Sequence, residues 1–386
     1  MAIICIVTPP KLSRRSWIKQ DAAILKEAGH KVILLEHNII SLIRKLKELM
    51  SCDLFFGWFA FPLAVFLSKA FGRPSLLNAV GYEVAQYPDL DYGLTRRWWW
   101  RTLISYGLKH ATKIIAISAE SARWARIWGA DNVDIVYEGI DTSRFYPEMD
   151  SRREKKNKII LSVAYLSVTN VVRKNLVTLL RAVRLVIRKI PNVKLIIVGN
   201  KERGYYMLKR HAVNLGIEDH LVFLGHVPGR ELIRLYALCD IFVLPSFQEG
   251  FPTVAAEAQA CGKPIVTSNR PAMNEIYVNN VHAVLVDPRS PEELARAIIK
   301  VLEDASLRKR LSVMGRKLVS SKFSKERRAK KLLEVIQTLL KRPAERKISI
   351  LWLFVTFCYT IWSLFLFIYE AMIIRLKELA RLYSTP

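Results

Sequence analysis

Cysteine is scarce in this chain. Cys5, Cys52, Cys239, Cys261 and Cys358 are the only five in 386 residues, with no close pair and no CxxC. An odd, dispersed set excludes a disulfide frame and a thiolate zinc site, and reads as reduced thiols of the cytosol. Glycine and proline number sixteen each, which rules out collagen-like and Pro/Gly-rich low-complexity chains; no period of about 20 to 50 residues recurs, so a solenoid is excluded too. The seven histidines form no HExxH, and neither GxGxxG nor GxxxxGK[ST] occurs, so metallohydrolase, dehydrogenase and P-loop readings lack their signatures. Acidic residues are also in short supply: 34 Asp and Glu against 60 Lys and Arg leave a net charge of +26. No zinc finger, RNP-like motif or helix-turn-helix signature accompanies the surplus, so nucleic acid is not the expected partner.

What is present is apolar and long enough for two domains. Hydrophobic residues make up 51% of the chain, which excludes disorder. From Met1 to about 147, short β-rich runs (Ile3 to Val7, Val32 to Leu35, Leu54 to Trp58, Ser75 to Val80, Ile114 to Ile117, Ile135 to Tyr137) alternate with helix-length amphipathic stretches. The first run has no basic residue before it and reads as a strand, not a signal peptide. A charged stretch, 147–157, marks a linker. A second alternation then fills 158–341, with strands at Ile159 to Val163, Leu195 to Val198, Leu221 to Phe223, Ile241 to Leu244, Ile265 to Thr267 and Ala283 to Val286. Strand-helix alternation of this kind predicts parallel, doubly wound α/β domains, with ligands at the carboxyl ends of the strands.

The charge is unevenly spread. Leu307 to Lys347 holds fifteen Lys or Arg against three acids, and Ile348 to Tyr369 follows with 22 residues free of charge. As a helix that run is about 33 Å long, enough to span a hydrocarbon core of about 30 Å. It is the expected transmembrane helix, with 370–386 as a short amphipathic tail that could itself lie in the interface. The basic flank places the catalytic domains on the cytoplasmic side of the cell membrane, held by a single pass. Trp98, Trp99 and Trp100 lie between Arg97 and Arg101; three successive rings sweep about 200° of a helix, so at least one should stay near the surface.

The stretch Leu244 to Thr267, LPSFQEGFPTVAAEAQACGKPIVT, carries the chemistry. A strand ends at Leu244, Ser246 begins a loop, Gly250 permits a tight backbone, and Pro252 stands where a helix would begin. Amides from about Thr253 and Val254 would then point out of the helix start, an anion site for phosphate. Glu257, one turn along, can accept hydrogen bonds from the vicinal hydroxyls of a ribose. Glu249, in the loop, can reach sugar hydroxyls on the far side of the diphosphate.

This string resembles the signature of the retaining glycosyltransferases of family 4, which have the GT-B fold: Ser246, the Glu249–Gly250–Phe251–Pro252 loop, a second Glu eight residues on, and Gly262–Lys263–Pro264. Gly139 to Pro147 resembles the family's junction between domains, and Phe223–Leu224–Gly225, Asp240 and Val243 to Ser246 resemble its nucleotide-binding half. The resemblance implies two Rossmann-like domains facing a cleft, the first on the acceptor side and the second binding a nucleotide-diphosphate sugar. Arg173, Lys174 and Asn175 match its basic element, which implies that Arg173 and Lys174 hold the diphosphate and stabilise it as it departs. Glu249 joins them at the reacting centre, while Glu257, Ser246, Gly250, Phe251, Pro252, Thr253 and Val254 bind the donor. No cofactor and no metal are implied.

One departure stands out. Where many family members carry an Arg after the first strand of the second domain, this chain has Tyr165, which supplies no positive charge. Asp89–Leu90–Asp91 is a DxD in a loop, a metal motif of a different fold. Gly81, Tyr82 and Glu83 lie where a loop could face the acceptor or form a plain turn. The expectation is a membrane-anchored retaining glycosyltransferase with a lipid-linked or membrane-proximal acceptor; the alternative is a catalytically silent GT-B scaffold that binds membrane or a partner through its basic tail.

Overall fold

The computed structural model describes residues 1–10, 12–13, 15–147, 157–343 and 348–383. Most of the expected linker, residues 148–156, lies outside them, as do 344–347 of the basic segment and 384–386 of the expected tail. The chain divides into two compact units. The first comprises Met1–Gly139 and Glu326–Arg381, the second Ile140–Lys325.

In the first unit β1 (Ile3–Thr8), α1 (Ser16–Glu27), β2 (Lys31–Glu36), α2 (Ile39–Leu49), β3 (Leu54–Trp58), α3 (Leu63–Phe71), β4 (Ser75–Ala79), α4 (Trp98–His110), β5 (Lys113–Ala116), α5 (Ala119–Ile127) and β6 (Val133–Ile135) follow in turn. The six strands form one parallel sheet in the order β2-β1-β3-β4-β5-β6. β3 and β4 are buried along their whole length, because helices cover both faces of a central parallel strand and leave no room for a polar side. The sixth strand is Val133–Ile135, two residues earlier than Ile135 to Tyr137. It is a short edge strand whose middle residue is exposed, so the apolar signal drifts past it.

The second unit runs β7 (Lys158–Val163), α6 (Val168–Arg173), α7 (Leu176–Lys189), β8 (Val193–Val198), α8 (Arg203–Leu215), β9 (Leu221–Gly225), α9 (Gly229–Leu238), β10 (Ile241–Leu244), α10 (Thr253–Ala260), β11 (Ile265–Ser268), α11 (Pro271–Ile276), β12 (Val284–Val286), α12 (Pro291–Glu303) and α13 (Ala305–Lys322). Its parallel sheet has the order β12-β11-β10-β7-β8-β9. The chain reverses direction across the sheet between β7 and β10, and a doubly wound sheet opens its ligand crevice at such a reversal.

The last two helices return to the first unit. Glu326–Arg381 belongs with the first unit, so α14 (Lys325–Leu340), expected inside a domain ending at 341, instead covers the α1 face, where Leu332, Ile336 and Leu339 join Ile18, Leu25 and Phe56. Its anchor is Arg328, fully buried, with bidentate bonds to the equally buried Asp21 at 2.7 Å each and further bonds to the carbonyls of Val136 and Tyr137. A buried guanidinium needs that many acceptors to offset its lost hydration. Finally α15 (Ile350–Tyr383) is one unbroken helix through the expected span and the expected separate tail. Its stretch Ile350–Ile373 is long and apolar enough to cross a membrane.

Candidate functional site

β7 and β10 end side by side at the reversal of the second sheet, and the loops beyond them carry most of the residues singled out from the sequence. Backbone approach here is close: a Cβ on Gly199, at the end of β8, would lie 1.6 Å from the Ala164 carbonyl oxygen. Beyond β7, Ser167 caps α6 by accepting the Asn170 amide at 3.3 Å. Arg173 ends α6 and Asn175 takes the left-handed conformation (φ 57°, ψ 40°) before α7, a bend that Asn tolerates better than most residues. The Asn175 amide donates to the carbonyls of Pro245, at 3.2 Å, and Pro288, at 2.5 Å. That clamp fixes the α6–α7 corner against the loop after β10, so Arg173 and Lys174 meet Glu249.

The meeting is a compact charged cluster. Arg173 donates to one Glu249 oxygen at 2.9 Å; Lys174 and the Ser246 hydroxyl donate to the other at 3.0 and 2.8 Å. Arg173 also donates to the Gln248 carbonyl at 2.6 Å, and its own carbonyl accepts the Phe247 amide. All four side chains are buried. Burial pushes the Glu249 carboxyl up, but the charges and hydrogen bonds of Arg173 and Lys174 outweigh it and hold it down at about 2. Lys174 is shifted below the usual ammonium range by burial, opposed by Glu249 and reinforced by Arg173. Two cations on one carboxylate leave a surplus positive charge, and among the described residues Glu249 accepts three hydrogen bonds, one fewer than its oxygens can take.

Pro252 occupies the cap position of α10, and the helix begins at Thr253 instead of at the proline. The Thr253 amide bonds back to the Phe251 carbonyl, and Ala255 and Ala256 share that of Pro252. Among the described residues, the amide left open at the helix start is that of Val254, not the pair Thr253 and Val254. Gly250 stays partly accessible beside buried Phe251, whose ring packs on Phe323 at 5.4 Å. Glu257, half-buried one turn into α10, accepts from the Tyr236 hydroxyl at 3.0 Å; burial pushes its carboxyl up to about 7, against the pull of Tyr236 and Arg144. The helix closes at Gly262 (φ 74°), whose amide bonds Gln259 while that of Lys263 bonds Ala258.

Two residues went unseen in the sequence. Tyr236 stands on an apolar helix face, where an aromatic reads as core. Tyr277, just past α11, is buried with its hydroxyl unpartnered among the described residues, and burial together with the Glu249 charge pushes it up. Tyr165, the site of the missing Arg, is exposed and donates its hydroxyl to Glu202. In the first unit, Asp91 of the DxD pairs with Arg96. Glu83 is fully buried and accepts the Val80 and Gly81 amides at 2.7 and 3.2 Å, closing a tight turn at the end of β4. A cavity of about 360 Å³ near Ala2, Asp53 and Pro74 lies at the amino ends of that sheet and contains no residue of the cluster.

Residues 148–318 match the model of the family described as glycosyl transferases group 1. An uncharacterised glycosyltransferase of Methanocaldococcus jannaschii is 32% identical over 222 residues, 55% of each chain. The GDP-mannose-dependent alpha-(1-6)-phosphatidylinositol monomannoside mannosyltransferase of Mycobacterium tuberculosis is 30% identical over 230 residues, 56% of this chain and 59% of that one. The chain thus spans little more than half the length of these relatives. Among solved structures, sucrose-phosphate synthase of Thermosynechococcus elongatus aligns with a TM-score of 0.74 at 18% identity, over 88% of this chain and 99% of that one. HepE of Anabaena, crystallised with UDP and glucose, aligns at 0.71 and 17%, over 88% and 100%. The fold is GT-B, as expected.

Proposed function

Taking residues 148–318 as a glycosyl transferases group 1 domain on a GT-B fold, we propose that the chain moves a sugar, with retention of anomeric configuration, from a nucleotide-diphosphate donor to a lipid-linked or membrane-proximal acceptor. The observation that carries the reading is the Arg173–Lys174–Ser246–Glu249 cluster at the strand reversal of the second sheet. The mannosyltransferase relative and HepE lend support by the GDP-mannose and UDP in their names.

The chemistry follows from charge. The bond between the anomeric carbon and the diphosphate breaks, the acceptor oxygen bonds the same face of that carbon, and the acceptor proton leaves with the diphosphate. Negative charge grows on the departing oxygens, and prepositioned buried donors stabilise it most in the transition state. Lys174, Arg173 and the Val254 amide are such donors. Glu249 keeps both cations in place before the donor arrives and offers its open lone pair to a sugar hydroxyl. Glu257 holds the ribose, Ser246 and the Gly250–Thr253 backbone shape the pocket, and Tyr277 has a hydroxyl to spend on the donor. The two cations supply the charge for which other transferases use a metal, so the proposed reaction needs none. α15 and the basic segment hold the enzyme at the cytoplasmic face of the cell membrane.

The test is to incubate membranes containing the chain with labelled UDP- and GDP-sugars and extract the lipid. Label in the extract, surviving EDTA and lost in Lys174→Ala, is the expected result. Binding of nucleotide sugar with no transfer to any extract would leave the silent scaffold instead.

A further inference from the structure

α15 is not a free-standing span. Its Ser349 end is tied to α3, the Ser349 amide donating to the Ala70 carbonyl at 2.9 Å, and near its other end Glu370 pairs with Arg97. Between them one face is docked along the first unit. The Tyr359 ring lies tilted against His37 at 5.0 Å and meets Phe66 edge-on; Phe367 lies 4.9 Å from Trp100. Between Ile350 and Met372 the polar side chains Thr356, Thr360, Ser363 and Glu370 are all on this buried face, and Ser363 bonds the His37 imidazole at 2.9 Å. Burial holds His37 down at about 3, so that seam is neutral at physiological pH.

The opposite face is apolar and uncovered. Leu351, Phe354, Ile361, Phe365, Ile368 and Met372 recur at steps of three, four or seven residues, each about half exposed or more, Phe354 at 66% and Phe365 at 65%. Aromatics flank the stripe: Trp362 and Tyr369 on α15, and Trp98, 66% exposed, at the start of α4. Cations bracket it, with Lys69 5.0 Å from the Trp352 ring toward one end and Arg97 and exposed Arg101 toward the other. A contiguous apolar stripe of this length marks an interaction surface. A second copy is disfavoured as its occupant, because two chains of +26 repel, whereas an anionic bilayer attracts the same charge.

We propose that α15 lies in the plane of an anionic membrane, its Leu351–Met372 face sunk among the acyl chains and its Thr356–Glu370 face bound to the first unit, so that the chain is attached to one leaflet and does not cross. Crossing would strip the cover from His37, Phe66 and Trp100 and turn three hydroxyls into hydrocarbon; lying flat keeps every one of these contacts. The inference rests on the membrane attachment proposed above and not on the transfer reaction.

The full chain supplies its own probe, since Cys358 is the one exposed cysteine among the described residues. A nitroxide is attached there, and in turn at Leu351→Cys, Phe365→Cys and Met372→Cys made with Cys358→Ser. Label depth is read in vesicles of equal parts phosphatidylcholine and phosphatidylglycerol. In-plane insertion predicts one shallow depth at all four positions, about 5–10 Å below the headgroup boundary. A depth that peaks in the middle and falls at both ends, as a span of about 32 Å requires, overturns the proposal. So does a label that senses no lipid while the chain sediments as a dimer. Phe354→Glu with Phe365→Glu should weaken vesicle binding at least about tenfold, from the apolar area each ring buries, with unchanged thermal unfolding in solution. Nucleotide-sugar binding is measured on the same vesicles: uniform shallow depth without donor binding would sink the transfer reading alone.

Discussion

Glu249 serves two cations with one carboxylate, and its replacements should separate the consequences. Glu249→Ala leaves Arg173 and Lys174 buried without a counter-charge, a loss of about 3–5 kcal/mol by the usual cost of an orphaned buried ion; Glu249→Gln keeps the shape and should cost less while still lowering kcat/KM at least about tenfold. Chemical denaturation and kinetics on both variants check this, and an undamaged Glu249→Ala would remove the cluster from the account. Tyr277→Phe offers the converse case. Its hydroxyl has no partner among the described residues, so its loss should leave stability unchanged while weakening donor binding about three- to tenfold, the worth of one ordinary hydrogen bond; calorimetric titration with UDP- and GDP-sugars decides it.

Glu257 makes the site sensitive to pH. Its folded-state pKa, about 7, lies above the ordinary value of 4.5, so the folded protein holds the proton more tightly than the unfolded chain; this stabilisation is complete below about 4.5 and is lost as pH rises through about 7. Glu249 has the opposite sign: its contribution is complete above about 4.5 and is lost only as pH falls toward about 2. With Glu257 on the ribose as proposed, its ionised carboxylate is the stronger acceptor for the two hydroxyls, so donor affinity should rise between pH 6 and pH 8, the span about the value of 7. Glu257→Gln should flatten that rise. A wild-type affinity independent of pH across the same span would detach Glu257 from the ribose.

At the scale of elements, the strands were plain in the sequence and one helix was not. Central parallel strands are covered on both faces and are mostly apolar, so β3 and β10, and the apolar centres of β4 and β7, could be read directly. The Ser246–Val254 loop was legible for a different reason: its Gly, Pro and Glu mark a strand end and a helix start within ten residues. α14 was opaque because what assigns it to the first unit is Arg328 meeting Asp21, 307 positions away, and no local pattern encodes a partner at that distance. Likewise, twenty-two uncharged residues announce a long apolar helix but not that Thr356, Thr360 and Ser363 share a face that docks. Arg328→Met should therefore destabilise the chain by about 3–5 kcal/mol through the stranded Asp21, and Asp21→Asn with Arg328→Met should recover part of it. Equal unfolding midpoints for wild type and Arg328→Met would mean that the pair holds nothing.

At the scale of the whole molecule, the proposed activity draws together the charge, the fold and the cluster. The first unit carries the apolar helix α15, the second the Arg173–Lys174–Glu249 cluster, and the central claim of the proposed function is that these buried cations stabilise a departing nucleotide diphosphate. Lys174→Ala removes one of those cations and leaves Glu249 paired with Arg173. The most direct measurement is the single-turnover rate of sugar transfer at saturating donor, wild type beside Lys174→Ala, with the nucleotide dissociation constant taken from the same preparations. A prepositioned donor of this kind is worth about a hundred- to a thousandfold in rate, so the account predicts a loss of that size with nucleotide affinity changed by much less. A Lys174→Ala enzyme that transfers sugar at the wild-type rate would contradict it.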